Sequence, residues 1–234
     1  MAQAIVIEVL YQDDDVIVIN KPAGVAVHPS PGWGGPTVVQ ALAEQGVLLS
    51  SAGASEREGV VHRLDANTTG VMVLAKSERA FKDLKDQFRD RETAKVYHAL
   101  VQGHITPSTG TVDAPIDRHP KHGERFAVVS TGRDSLTHYQ TLEAFRGASL
   151  IEVDLETGRT HQIRVHMSAI GHPCVGDTLY GADPKFAKTL GLDRQWLHAS
   201  KLTFRHPSTG EPMTFESEYP KDLVASLARL RADN

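Results

Sequence analysis

The stretch GVVHRLDANTTGVMVLAKS, residues 59–77, sets one carboxylate, Asp65, between two apolar runs, with His62 and Arg63 just before it. A carboxylate presented in this way can act as a nucleophile or as a base. Asp is also a common opener of a polar turn, and the ANTTG that follows is small and polar. Charges within an apolar strand are costly unless they are paired or used, and this singles the segment out. A second cluster, TGRTHQIRVH at residues 157–166, combines Arg159 and Arg164 with His161 and His166 at a helix start. Helix N-termini and Arg forks suit phosphates and carboxylates, whereas a solvated basic face would show the same composition. Tyr97 in KVYHALV is either a core residue with a satisfied hydroxyl or a platform for a nucleobase. Residues 118–133 hold Arg118, Lys121, Arg125 and Arg133 with His119 and His122 against one acid, Glu124. That segment is the best local candidate for contact with a phosphate backbone, a solvated loop being the alternative.

The elements that must position these residues read as follows. IVIEVLYQDDDVIVINKPAGVAVHP reads as strand, acidic turn, strand, turn, strand, with Asp13, Asp14 and Asp15 in the first turn. PTVVQALAEQG reads as a helix stopped by Gly46, and LLSSAGASEREG as a loop. Residues 59–77 read as strand, turn, strand, with Asp65 ending the first strand. SERAFKDLKDQFRDR is an amphipathic helix that Ser77 can cap. AKVYHALVQG, LTHYQTLEAF and ASLIEVDLE are strands, and the basic loop between them has room for a short strand. TGRTHQIRVHMSAIG is a helix with Ile163, Met167 and Ile170 on one face and His161, Arg164 and Ser168 on another. PKFAKTLG is a short helix, WLHASKLTFRHP and PMTFESEYP are late strands, and KDLVASLARLR is a closing helix. Strands dominate and do not alternate regularly with helices, which favours an α+β sheet.

Composition narrows the chemistry. The chain has 234 residues, 40% of them hydrophobic and 23% charged, enough for one core or two closely joined lobes. The formal net charge of −4 means that a basic surface must be local. Cys174 is the single cysteine, so no disulfide can form within the chain, and it reads as a small buried apolar residue. His161 and His166 are five apart and lack the partner Glu of H-E-x-x-H, which points away from a metal. There is no P-loop, dinucleotide fingerprint or G-x-S-x-G elbow, so no cofactor is expected. The first residues lack a signal-peptide pattern, and no apolar run reaches the ~20 residues of a membrane span. A soluble, cytoplasmic protein is expected, and a monomer.

Six blocks in consistent order, GVVHRLDANTTGVMVLAKS, KVYHALVQG, LTHYQTLEAF, LETGRTHQIRVHM, HPCVGDTLYG and WLHASKLTFRHP, resemble the RluA/RluD family of RNA pseudouridine synthases. The resemblance spans about residues 7–223 and is nearest to the RluD branch, which acts on large-subunit ribosomal RNA. It implies the pseudouridine synthase fold: a largely antiparallel mixed β-sheet flanked by helices and loops, with a central catalytic cleft. It implies that Asp65 is the catalytic aspartate of the H-R-L-D motif and that Tyr97 stacks on the target base and takes part in proton removal. By the same resemblance Arg164 pairs with the aspartate, Leu197 packs near the base, and Arg63 helps displace the target nucleotide from its stack. RNA is then the partner. Transfer RNA is used by other relatives, and a non-catalytic RNA-binding assembly factor on the same fold is a further alternative. A glycoside hydrolase would normally need a second carboxylate ~5–10 Å from the first, and no second acid is tied to HRLD in sequence. Many RluD-like enzymes begin with a small S4-type RNA-binding domain. Here the sequence starts almost at the first catalytic strand, so the expectation is a catalytic domain over residues 1–234, with the S4-type domain natively absent or lost by truncation.

Overall fold

A computed structural model of the chain describes residues 5–52, 57–123 and 125–233. The first four residues, residues 53–56 of the small-residue loop and Glu124 lie outside that set. The chain divides into two compact units, residues 1–94 with 199–218 and residues 95–198 with 219–234.

The first unit is built on β-branched runs. β1 (Glu8–Gln12), β2 (Val16–Lys21) and β3 (Thr69–Ala75) lie side by side, with β1–β2 and β2–β3 antiparallel. β3 is buried along its whole length and β2 at every residue but Asn20, which explains why neither shows a polar–apolar alternation. β10 (Leu197–Arg205) follows β3 in strand order and pairs over Lys201–Arg205 with antiparallel β11 (Pro212–Glu216). α1 (Val38–Glu44) is capped by the Thr37 hydroxyl, which accepts from Gln40 N–H, and ends before Gly46 at φ 79°. α2 (Glu78–Arg89) is capped by Ser77 and buries Ala80 and Leu84 against Val16, Val18, Val71 and Val73. The strand expected at GVAVHP is instead irregular chain with a single parallel bridge from Ala26 to Thr37.

The second unit holds β4 (Ala94–Gln102, from Lys95 onward), β5 (Thr109–Asp113), β8 (Leu136–Phe145) and β9 (Ala148–Leu155). Their order is β4-β9-β8-β5, and each neighbouring pair is antiparallel. β6 (Ile116–Arg118) and β7 (Phe126–Val128) form a separate two-stranded hairpin within the basic loop. α3 (Gln162–Ala169) and α4 (Pro184–Thr189) follow, and α5 (Lys221–Ala232) packs Leu223, Leu227 and Leu230 on Trp196 and Leu100. Cys174 is buried. The architecture is α+β with a largely antiparallel sheet, as the strand-rich sequence implies.

The acidic turn between β1 and β2 organises the first unit. Asp13 accepts from the backbone N–H of Asp15 and Val16 and from His206 Nε2. Asp15 accepts from Ser77, Ser208 and Arg79, tying the turn to the start of α2 and to the segment after β10. Burial alone would raise the Asp15 pKa, but the two hydroxyls and the guanidinium outweigh it and hold the carboxyl at about 2. The folded value lies below the unfolded value of about 3.9, so ionised Asp15 stabilises the fold above that pH. This contribution is lost as the pH falls from about 4 towards 2. Asp15→Asn should cost about 1–3 kcal/mol at neutral pH. Urea midpoints measured from pH 6 to pH 3 should fall less steeply for the variant than for the parent, and parallel profiles would count against this role.

Candidate active site

Asp65 lies in the first unit, where it opens a turn instead of ending a strand. The segment before it makes one antiparallel bridge, Val60 to Leu74, and then bends, so the expected strand–turn–strand has only its second strand, β3. Thr68 N–H donates to Asp65 C=O at 3.0 Å and closes the turn ahead of Thr69. The turn is held from below by Lys21, which is fully buried at the end of β2. Its ammonium donates to the carbonyls of Pro22 at 2.8 Å, Val25 at 2.7 Å and Ala66 at 2.9 Å. Val25 N–H reaches the same Ala66 carbonyl at 3.2 Å. The residue next to Asp65 is therefore fixed by a buried charge and a backbone bond. Gly70, at φ 118°, starts β3 where the β10 backbone comes closest: a Cβ there would stand 2.1 Å from Ala199 O. Any other residue would push β3 off β10 directly after the turn.

His62 and Arg63, singled out as charges inside a strand, have different places. The His62 ring stacks on Phe88 with centroids 4.4 Å apart and accepts Val73 N–H at Nε2, 3.1 Å away. It is a packing residue that fastens the segment to β3 and α2. Arg63 is exposed, next to buried Leu64.

Tyr97, Arg164 and Leu197 lie in the second unit. Tyr97 sits in β4 opposite Val153 of β9 and is buried. Leu197 begins β10 and is buried as well. Arg164 lies on α3, whose residues 162–167 are all buried. This overturns the solvated basic face as a reading of the helix: the element is enclosed, and Ile170, expected on its apolar face, is the exposed one. Enclosure is made possible by polar satisfaction. Gln162 accepts from Thr157 Oγ1 and Arg159 N–H and donates to Leu136 C=O and Thr137 Oγ1. His166 donates from Nε2 to Ala114 C=O and accepts at Nδ1 from Thr137. Burial pushes the His166 pKa down, outweighing the Ala114 carbonyl, so the ring is neutral and structural.

The Arg164 guanidinium meets Asp177 in a two-point fork, Nε to Oδ2 at 2.6 Å and Nη2 to Oδ1 at 2.9 Å. Side-chain exposures are 8% and 1%. The carbon of the guanidinium lies 4.9 Å from the Tyr180 ring centroid, and the Tyr180 hydroxyl bonds His161 Nδ1 at 2.7 Å and Phe126 N–H at 3.1 Å. His161 precedes α3 in a left-handed conformation, φ 58°. Sequence reasoning gave no role to Lys21, Asp177 or Tyr180. The available signals were a Lys ending an otherwise apolar buried run and an Asp–Tyr pair in the Gly-bounded turn GDTLYG. Among the described residues no cluster of three or more His, Cys, Asp or Glu could hold a metal.

Residues 15–169 match the family model described as RNA pseudouridylate synthase. The chain belongs to that family. It is an enzyme of the pseudouridine synthase class, an isomerase acting on RNA, within the RluA/RluD group. It is 58% identical over 225 residues to an uncharacterized RNA pseudouridine synthase of Mycobacterium bovis, covering 96% of this chain and 73% of the relative. It is 46% identical over 235 residues to ribosomal large subunit pseudouridine synthase D of Nitrosomonas europaea, covering 98% of this chain and 67% of the relative. Among solved structures, human RNA pseudouridylate synthase domain containing 1 superposes with a TM-score of 0.76 at 27% identity, over 99% of this chain and 97% of that one. The pseudouridine synthase fold inferred from the sequence blocks is thereby established. The buried fork fixes the orientation of the Arg164 guanidinium.

Breaking a buried ion pair by removing one partner leaves an uncompensated charge. Asp177→Ala should therefore lower stability by about 3–5 kcal/mol, read as a drop in the urea midpoint. An unchanged midpoint would mean that Arg164 reaches solvent.

Proposed function

We propose that the protein isomerises specific uridines to pseudouridine in large-subunit ribosomal RNA, with Asp65 as the catalytic carboxylate. Residues 1–234 then act as one catalytic domain, in the cytoplasm where ribosomal RNA is made and modified. The observation that carries the reading is the presentation of Asp65. It stands in a closed turn, on a backbone pinned by Lys21 and followed by a strand whose Gly70 allows no larger residue. Support for ribosomal RNA comes from the 46% identity to large subunit pseudouridine synthase D.

The isomerisation breaks the N1–C1′ bond of uridine, turns the uracil and joins C5 to C1′. C5 gives up a proton and N1 gains one, so nothing is oxidised and no group is added. Ionised Asp65 serves either by attacking C1′, as in a retaining glycosidase, or by removing the C2′ proton. Both routes need a base lifted out of its stack, because an enclosed base cannot be reached. Exposed Arg63 is the residue we assign to displacing the nucleotide, and buried Leu197 to packing beside the base. Tyr97 supplies the aromatic face that holds the detached uracil, and its hydroxyl assists loss of the C5 proton. Arg164 is the cation assigned to keep Asp65 ionised and aimed. An Arg fixed by Asp177 at Nε and Nη2 is already oriented, which removes the entropy cost of aiming it during the reaction.

Asp65→Asn should lower pseudouridine formation on unmodified ribosomal RNA by roughly 10³-fold or more while leaving folding and RNA binding largely intact. Site mapping of pseudouridine with purified parent and variant checks this, and normal turnover by the variant would remove Asp65 from the reaction. Tyr97→Phe should keep RNA affinity and slow turnover. Undiminished turnover would confine Tyr97 to stacking.

A further inference from the structure

The second unit contains a cavity of about 340 Å³ to which the proposed mechanism gives no task. It lies beneath the β6–β7 hairpin, bounded by His119, Arg125 and Phe126 on one side and by Val165, Leu179 and Tyr180 on the other. No carboxylate is among its described lining residues. Val128, Val165, Ala169 and Leu179 give it apolar lining, and His119 and Arg125 bring donors to its wall. Arg125 Nε is buried and has no hydrogen-bond partner among the described residues. His119 Nδ1 already accepts from the backbone N–H of Lys121 at 3.0 Å and His122 at 3.2 Å, so in the neutral ring Nε2 carries the proton and is a donor. The Phe126 ring has Arg118 over it at 5.6 Å, and Arg118 in turn holds the hairpin tip through Gly123 C=O. Arg118 and Lys121 are exposed beside the cavity.

We propose that this cavity binds one unpaired nucleotide flanking the target uridine, its base against the Phe126 and Tyr180 side and its phosphate at Arg125. The volume is at the small end of the ~300–1,000 Å³ usual for ligand sites, which suits a single nucleotide and excludes a duplex. A donor-rich, carboxylate-free wall calls for an acceptor-rich anion, and a buried Arg Nε without a partner is costly until such a group arrives. Aromatic walls backed by Arg are what an unstacked base selects. Position supports the flanking assignment: Tyr180 lines the cavity and also carries the Arg164 guanidinium on its ring. The inference rests on the reading that the substrate is RNA and adds a second recognition point to it.

The test uses the full chain, with binding read by fluorescence anisotropy. The probe is a single-stranded RNA of about nine nucleotides with one central uridine, and copies of it carry an abasic site at each other position in turn. Ala169→Phe fills the cavity from its rim, where Ala169 is exposed, and Arg125→Ala removes the phosphate contact without touching the core. The parent should lose about tenfold in affinity when one particular flanking base is removed. Each variant should bind the intact RNA about tenfold more weakly, and Ala169→Phe should no longer respond to that abasic site. Parent-like binding by both variants, or a parent indifferent to every abasic position, would overturn the proposal. Pseudouridine formation by the parent on unmodified ribosomal RNA is scored separately. Its absence alongside an intact flanking pattern would overturn the isomerisation of ribosomal RNA and leave the nucleotide site standing.

Discussion

Burying a guanidinium is possible only with a partner that satisfies its charge and its donors together. The fork between Arg164 and Asp177 meets that demand, and much of the second unit is arranged around it. α3 can lie enclosed because Gln162, His166 and Arg164 each find polar partners as the helix packs. Asp177 starts the 3-10 turn Thr178–Tyr180, which brings the Tyr180 ring onto the guanidinium. The Tyr180 hydroxyl then reaches His161 and the backbone of Phe126, linking helix, turn and hairpin. Replacing such a pair with well-packed apolar residues would often be neutral or stabilising. The pair here orients the guanidinium as well as satisfying its charge.

The first unit solves a related problem with the same economy. Lys21 has the longest stem and the smallest charged head available, and it places that head among three backbone carbonyls. One of them belongs to Ala66, so the charge stabilises the turn that displays Asp65. A turn residue has more exposed backbone than a strand residue, which gives a reacting group access, but it also has more freedom to lose. Lys21, the Thr68 N–H bond and the Gly70 contact with β10 remove that freedom without covering the carboxylate's neighbours Asn67 and Arg63, which stay exposed.

Much of the fold was legible because it follows local periodicity. The buried runs VIVI and VMVLA, the Ser77 cap of α2 and the Gly46 stop of α1 appear where pattern and capping rules place them. The misread segments share one cause. Apolar residues at 25–27 and 60–61 are packed without forming strands, since they touch the core from irregular chain and exchange single bridges instead of ladders. Apolar content signals burial, and it does not by itself signal extended pairing. β5, with Thr and Gly and one buried Val112, carried too weak a signal to stand out.

The sequence by itself determined the family, through six ordered blocks, and with it the residues to examine: Asp65, Tyr97, Arg164, Arg63 and Leu197. It also determined that Asp65 opens a small polar turn, a local property set by the residues that follow it. Only the tertiary structure decided which charges are buried and which partners hold them. Arg164 and Arg159 look alike in TGRTHQIRVH, yet one is locked to Asp177 thirteen residues away and the other is half-buried, with a contact to the Asp134 carbonyl. Lys21 gives no hint in sequence that it serves a carbonyl 45 residues on. Such pairings depend on which surfaces meet when the elements pack, and a linear chain carries no distance information of that kind.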